Sequence, residues 1–207
     1  SPSAGAYITN TTPTIEFQVK DTDSGVNAGT IAVTVDGTAV SAVTKTAIDG
    51  GYKCTCTSPT LKDGSHTISV KASDNDGNAA AAKTATFTVD TVPPTLQITA
   101  PSNDLITNKK TVTVSGKTDD VSSKPVTVTV NGATVTVGTD GTFTKDVTLA
   151  EGANTITIVA KDKAGKTTTV TRKVTVDTSA PVIKSVTLTP NPVDCGKTFI
   201  IAVEITD

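Results

Sequence analysis

LAEGANTITIVAKDKAGK, Leu149–Lys166, restates LKDGSHTISVKASDNDGN, Leu61–Asn78, 88 positions further along the chain. Flanking pieces return in the same order. Ile8-Thr9-Asn10 comes back as Ile106-Thr107-Asn108, VTVDG at Val33–Gly37 as VTVNG at Val128–Gly132, and VDTVPP at Val89–Pro94 as VDTSAP at Val176–Pro181. A period of about 90 residues is too long for a solenoid and matches one small all-β domain per copy. The repeat therefore divides the chain into residues 1–91, 92–178 and 179–207. The first lacks its leading strand, the second is complete, and the third holds only the first two strands of a next module.

The copies read as strands throughout. In the second, Leu96–Thr99 precedes Thr111–Gly116, where Val112 and Val114 alternate with Thr111, Thr113 and Ser115. Val126, Val128 and Val130 then lead through the hairpin turn Asn131-Gly132 to Val135 and Val137. Phe143/Val147, Ile156/Ile158/Ala160 and Val170/Val174/Val176 complete seven alternating strands. The first copy follows with Ile15/Phe17/Val19, Ile31/Val33/Val35, Tyr52/Cys54/Cys56, Ile68/Val70/Ala72 and Phe87/Val89. The expected fold class is all-β: tandem immunoglobulin-like β-sandwiches of about seven antiparallel strands each, with no significant helix. In the tail, Ile183–Thr189, the turn NPVDCG and Thr198–Thr206 form the opening hairpin of the third module. At each VDT-x-x-P junction proline blocks continued pairing, so the linker is short and the expected assembly is a semi-rigid rod.

Composition agrees and excludes several function classes. Aromatics make up 3% of the 207 residues, there is no Trp, and β-branched Thr and Val suit a pleated surface. A formal net charge of −2 without charge runs argues against nucleic-acid and anionic-membrane partners. No apolar run reaches a membrane-spanning length, so membrane insertion is not expected. The chain has no Met, which leads to the expectation of a piece of a longer polypeptide whose targeting information lies elsewhere.

The AxDxxG turns at Ala72–Gly77 and Ala160–Gly165, preceded by DGxHTI or EGxNTI and followed by VDTxxP, resemble the bacterial Ig-like modules of large surface and secreted proteins. Pro94–Asp177 is similar to the Ig-like domain B beside the catalytic domains of glucodextranase-type enzymes. The stretch SVTLTPNPVDCGKTFIIAVEITD resembles Ig-like openings of surface and phage-tail proteins. The resemblance implies non-catalytic spacer or presentation modules of a larger extracellular protein, on a bacterial surface, secreted, or in a virion tail. Its alternatives are an adhesive module binding a cell-surface protein or glycan through loops such as Lys20–Gly29 and Asp119–Pro125, or an accessory domain of a secreted glycoside hydrolase.

No catalytic, cofactor-binding or metal-ligating residue is expected from the sequence. His66, the one histidine, aligns with Asn154 and reads as an ordinary surface residue. Asp21-Thr22-Asp23-Ser24-Gly25 and Asp74-Asn75-Asp76-Gly77-Asn78 place oxygens as a calcium loop begins, but both lack the closing Glu. Turn chemistry explains the same letters. Cys54 and Cys56 share one strand face and read as buried free thiols. Of the aromatics, Phe17, Tyr52, Phe87, Phe143 and Phe199 fall on core positions, and Tyr7 alone makes a poor sugar platform. Lys20, Lys71 and Glu16 read as solvated charges rather than an isopeptide set, and Asn10-Thr11-Thr12 is a chance sequon. The copies differ at Asp76/Ala164, His66/Asn154 and Cys54/Lys145, so the repeat is expected to carry scaffold and no chemistry. A lone strand pair is marginal in water, so residues 183–207 are expected to be poorly ordered or to pair with another chain.

Overall fold

The computed structural model describes residues 1–189, 195–196, 198 and 200–206. Eight strands come from the first copy: β1 (Tyr7–Ile8), β2 (Thr14–Lys20), β3 (Ala32–Val35), β4 (Thr38–Ala39), β5 (Thr44–Ile48), β6 (Gly51–Thr57), β7 (Gly64–Lys71) and β8 (Lys83–Val89). They form two sheets, ordered β1-β8-β7-β3-β4 and β2-β6-β5. The second copy repeats the plan with β9 (Thr95–Ala100), β10 (Leu105–Thr107), β11 (Thr111–Asp119), β12 (Thr127–Val130), β13 (Ala133–Val135), β14 (Thr142–Thr148), β15 (Gly152–Lys161) and β16 (Thr167–Val176). Its sheets run β10-β16-β15-β12-β13 and β14-β11-β9. The sole helical element among the described residues is a 3₁₀ turn at Ala28–Thr30, capped by the Asn27 side chain on Gly29 N–H.

Each module therefore has eight strands rather than about seven. The extra ones are too short to alternate visibly. β1 and β10 run parallel to β8 and β16 and borrow one edge of the larger sheet. β5 pairs β6 in the first module, and no counterpart follows β13 in the second. Conversely β9 covers the edge of β11, whereas on β2 the corresponding backbone contact comes from Ser1 on Glu16.

Alternation builds the cores. In the second module Val112, Val114, Val128, Val130, Phe143, Ile156, Ile158, Val174 and Val176 close into one buried cluster. In the first, Ile15, Val33, Val35, Ile68, Phe87 and Val89 form one cluster, and Val26, Ile31, Cys54 and Ala72 a second. Cys54 and Cys56 are buried free thiols. Desolvation raises both pKa values, which keeps the sulfurs neutral and inert. The hairpin turns Asp36-Gly37 and Asn131-Gly132 hold both residues at positive φ, the primed geometry that matches strand twist. Gly116 is needed for another reason: a Cβ there would meet the Gln97 carbonyl at 2.5 Å and the Phe143 ring at 2.7 Å.

After Asp177 comes an antiparallel pair, β17 (Val182–Thr189) and β18 (Ile200–Thr206), exposed along its whole length. The two strands pair with each other. Most of the NPVDCG turn, together with Phe199, lies outside the described residues.

Candidate metal centre at the module junction

The junction is built from turn chemistry that recurs in both modules. Asp63, just before β7, accepts from Thr91 N–H at 3.0 Å and Thr91 Oγ1 at 2.9 Å. Glu151, just before β15, does the same for Thr178, at 2.8 Å from each. That explains why the DG or EG turn and the VDT motif travel together: the first clips the chain as it leaves the last strand. The clip fixes the residue before the threonine. In the first module this is Asp90, which is fully buried.

Above Asp90 sit two loops of the second module. The β11–β12 loop carries Asp120, whose Oδ1 accepts from Ser122 N–H at 2.8 Å and Ser123 N–H at 2.7 Å. The β15–β16 turn carries Asp162, whose Oδ1 accepts from Lys166 N–H at 2.8 Å. Asp90 Oδ1 accepts from Val92 N–H at 3.2 Å. Each carboxylate is thus pinned through one oxygen by its own turn. Carboxylate oxygens of all three lie within 4.8 Å of one another, and all three side chains are buried. Oδ2 of Asp90 and Oδ2 of Asp162 are buried with no hydrogen-bond partner.

No ion pair among the described residues involves any of the three. The neighbouring cations are engaged elsewhere. Lys124 Nζ is 2.7 Å from Asp119 Oδ1, and Lys163 Nζ lies over the Tyr7 ring, 5.1 Å from its centroid. Tyr7, the aromatic that did not read as core, is half-buried and joins the first module to the second through this contact. Two carboxylates at such a separation repel by about 3 kcal/mol at an effective dielectric of about 20. Three of them facing one another form a donor set for a hard cation.

None of the three aspartates stands out in the sequence, because each looks like an ordinary turn residue. The letters of a calcium loop lie instead in the first module's Asp-rich turns. Those turns do meet, with Asn75 N–H on the Gly25 carbonyl at 3.0 Å and Asn75 Nδ2 on the Ser24 carbonyl at 2.9 Å. Their carboxylates, however, are satisfied locally. Asp21 accepts from Asp23 N–H and Ser24 Oγ, and Asp74 accepts from Asn78 N–H and Nδ2. The Asn78 side-chain hydrogen bond is the chief reason the Asp74 pKa lies below the usual carboxylate value.

His66 corrects another expectation. It is 8% exposed, with Nε2 2.7 Å from the Lys62 carbonyl and Nδ1 2.7 Å from Asp36 Oδ2. Burial alone would lower its pKa, but the bonds to Asp36 and to the Lys62 carbonyl raise it overall. For Asp36, burial raises, while the His66 and Thr67 hydrogen bonds lower, and the net direction is down. Asn154 makes the matching contact in the second module, its Nδ2 donating to the Ala150 carbonyl at 2.8 Å. The position needs a donor to close the loop, and burial follows from that job. No nucleophile accompanies it. Glu16 pairs with Lys53 at 3.0 Å on the surface, while Lys20 and Lys71 are exposed.

Comparison with known proteins follows the same division. Residues 3–91 match the bacterial Ig-like domain family model, and residues 94–178 match that of glucodextranase, domain B. The chain is a tandem of bacterial Ig-like modules. It is 30% identical over 183 residues to Bacillopeptidase F of Bacillus subtilis (strain 168), a match covering 88% of this chain and 12% of that protein. Among solved structures, an I-band fragment of titin superposes with a TM-score of 0.51 at 13% identity, over 88% of this chain and 65% of that one. The fibronectin(III)-like modules of Clostridium thermocellum CbhA give 0.49 at 19% identity, over 86% and 92%. The titin likeness shows the Ig sandwich fold and nothing about role.

Proposed function

We propose that these Ig-like modules are non-catalytic spacers that hold another part of a larger extracellular bacterial protein at a distance. The observation that carries this reading is the junction. Between Val89, where β8 ends, and Thr95, where β9 begins, the chain is tied down by the Asp63–Thr91 clip, and Lys163 reaches across to Tyr7. A linker of that length and fixation favours a defined inter-module angle over free rotation. Small-angle X-ray scattering tests it. The expected profile is an extended two-module particle fitted by one arrangement, and a compact or broadly distributed ensemble would contradict it.

A second reading makes the modules accessories of a secreted enzyme. It is favoured by the match to a glucodextranase domain and by the likeness to a small part of a protein named for peptidase activity. The full open reading frame decides it: a catalytic domain in the same chain establishes the accessory role. Adhesion through the Asp119–Pro125 loop is less favoured, since Asp120 and Ser123 of that loop are engaged at the junction. For Val182–Thr206 we propose that the exposed strand edges pair with a second copy of the chain. Sedimentation showing a strict monomer across concentration would remove that proposal.

A further inference from the structure

We propose that His66 is a pH-sensitive latch: protonated, it holds the loop that carries Asp63, and with it the Asp63–Thr91 clip, and it releases that loop as pH rises. The latch works inside the first module, so it stands whether the modules space, present or accompany an enzyme.

The two partners of the ring decide its charge. Nδ1 is 2.7 Å from Asp36 Oδ2, and Nε2 is 2.7 Å from the Lys62 carbonyl. A carbonyl oxygen and an ionised carboxylate only accept. Asp36 is held ionised, since its pKa lies below the usual carboxylate value and its Oδ1 accepts from Thr67 N–H at 2.8 Å. Both ring nitrogens must therefore donate, which only the imidazolium can do. A neutral ring has one N–H. Given to Asp36, it leaves the Nε2 lone pair facing the Lys62 carbonyl. The ring is 8% exposed and packs beside Phe87, with ring centroids 5.6 Å apart, so it has no room to turn to water. Lys62 and Asp63 are exposed, and the loop is the part that yields.

The charged residues on the elements around the ring are Asp36 on the β3–β4 turn and Lys62 and Asp63 in the loop, while β8 offers the uncharged Phe87. Burial opposes the charge on His66, but the bonds to Asp36 and to the Lys62 carbonyl outweigh it, so the folded pKa lies above 6.5. The latch is shut below 6.5 and opens as pH rises through the folded value.

What the loop carries gives the latch its consequence. Leu61 N–H is fixed on the Thr11 carbonyl at 2.8 Å, and Gly64 begins β7. Between those anchors Lys62 is held by His66, and Asp63 by Thr91 N–H and Oγ1. Freeing the first hold loosens the second, because the two residues are adjacent. The second module fastens the matching loop differently. Asn154 Nδ2 donates to the Ala150 and Gly152 carbonyls at 2.8 Å each, and its Oδ1 accepts from Ala150 N–H at 3.0 Å. An amide does not titrate, so the Glu151–Thr178 clip is permanent and the Asp63–Thr91 clip is conditional on pH.

Nuclear magnetic resonance on the whole chain, in buffer with EDTA, tests this by following the His66 ring nitrogens and the exchange protection of the Thr91 and Thr178 amides on both sides of pH 6.5. At the acid end both ring nitrogens should carry protons. As His66 loses its proton, Thr91 protection should fall about fivefold, the weight of one ordinary hydrogen bond, while Thr178 stays level. His66→Asn should leave Thr91 as level as Thr178. Asp36→Asn keeps the Oδ1 acceptor for Thr67 and removes the charge, so it should lower the His66 pKa and carry the Thr91 transition down with it. That joint movement separates a latch from a local folding defect. A singly protonated ring at the acid end would overturn the proposal, as would Thr91 protection that ignores the His66 titration, still falls in His66→Asn, or keeps its midpoint in Asp36→Asn. Scattering at the acid end bears on the rod separately: a compact ensemble there would sink the spacer reading and leave the latch.

Discussion

The two modules carry the same pair of aspartates at the same end, in different surroundings. Asp74 and Asp162 sit in matching AxDxxG turns, with Asn78 N–H and Lys166 N–H on Oδ1 at 2.7 and 2.8 Å. Asp21 and Asp120 follow β2 and β11, and each accepts from the N–H two residues on. In the first module these carboxylates are half-buried, and their second oxygens are taken by Ser24 Oγ and Asn78 Nδ2. In the second they are buried beneath a neighbouring module that adds Asp90. The difference teaches that what closes over a turn aspartate decides whether its second oxygen finds a partner. Local sequence supplies two carboxylates, and the junction supplies the third together with the desolvation.

The largest effect should come from the cores, which are separate in the two modules. Ile158→Ala, at a fully buried position, should cost about 2–5 kcal/mol in the second module and leave the first module's unfolding transition in place. A single transition shifted as a whole in calorimetry would show that the modules do not unfold independently.

Next is the clip. Asp63→Ala and Glu151→Ala each remove two hydrogen bonds at a solvent-facing acid and should each lower the melting temperature by a similar, small amount. Only Asp63 steadies the residue after Asp90, so only Asp63→Ala should weaken binding of a hard cation such as calcium, by several-fold. Equal effects on calcium from the two variants would break the assignment of Asp90 to the site.

A pH dependence should distinguish the modules as well. His66 has its folded pKa raised above 6.5, so its contribution is fully present below that value and is lost as pH rises through the raised folded value. Asp36, lowered from 3.8, contributes above that value and loses its part as acid brings the pH down. The first module's melting temperature should therefore fall as pH rises above 6.5 and through the raised folded value. His66→Asn, which copies Asn154, should flatten that slope. An unchanged slope in the variant would place the titrating group elsewhere.

The smallest effect belongs to Asp74→Asn, which keeps its turn acceptor for Asn78 N–H and should leave the melting temperature close to the parent's.

Strand positions and turns were largely legible because alternation and Asn-Gly or Asp-Gly pairs are local signals. β1 and β10 were missed because two or three residues cannot show a period, and their pairing depends on a distant strand edge. His66 was misread because its alignment with Asn154 suggested polarity and concealed the loop-closing bond both residues make. The cluster of buried aspartates was not legible for a related reason. Asp90, Asp120 and Asp162 are far apart in sequence, and comparison of the copies looked for a site within one module. The usable signal was that Asp recurs at 21 and 120, 74 and 162, and 90 and 177. That pattern has meaning only once one module's last aspartate is placed over the next module's turns.

The most direct measurement pairs the two regions: calcium-induced shifts in melting temperature for Asp90→Asn and Asp74→Asn beside the parent chain. The junction account requires that Asp74→Asn keep the parental shift and Asp90→Asn lose it. Loss of the shift in Asp74→Asn with retention in Asp90→Asn would place the ion in the first module's turns and contradict the account.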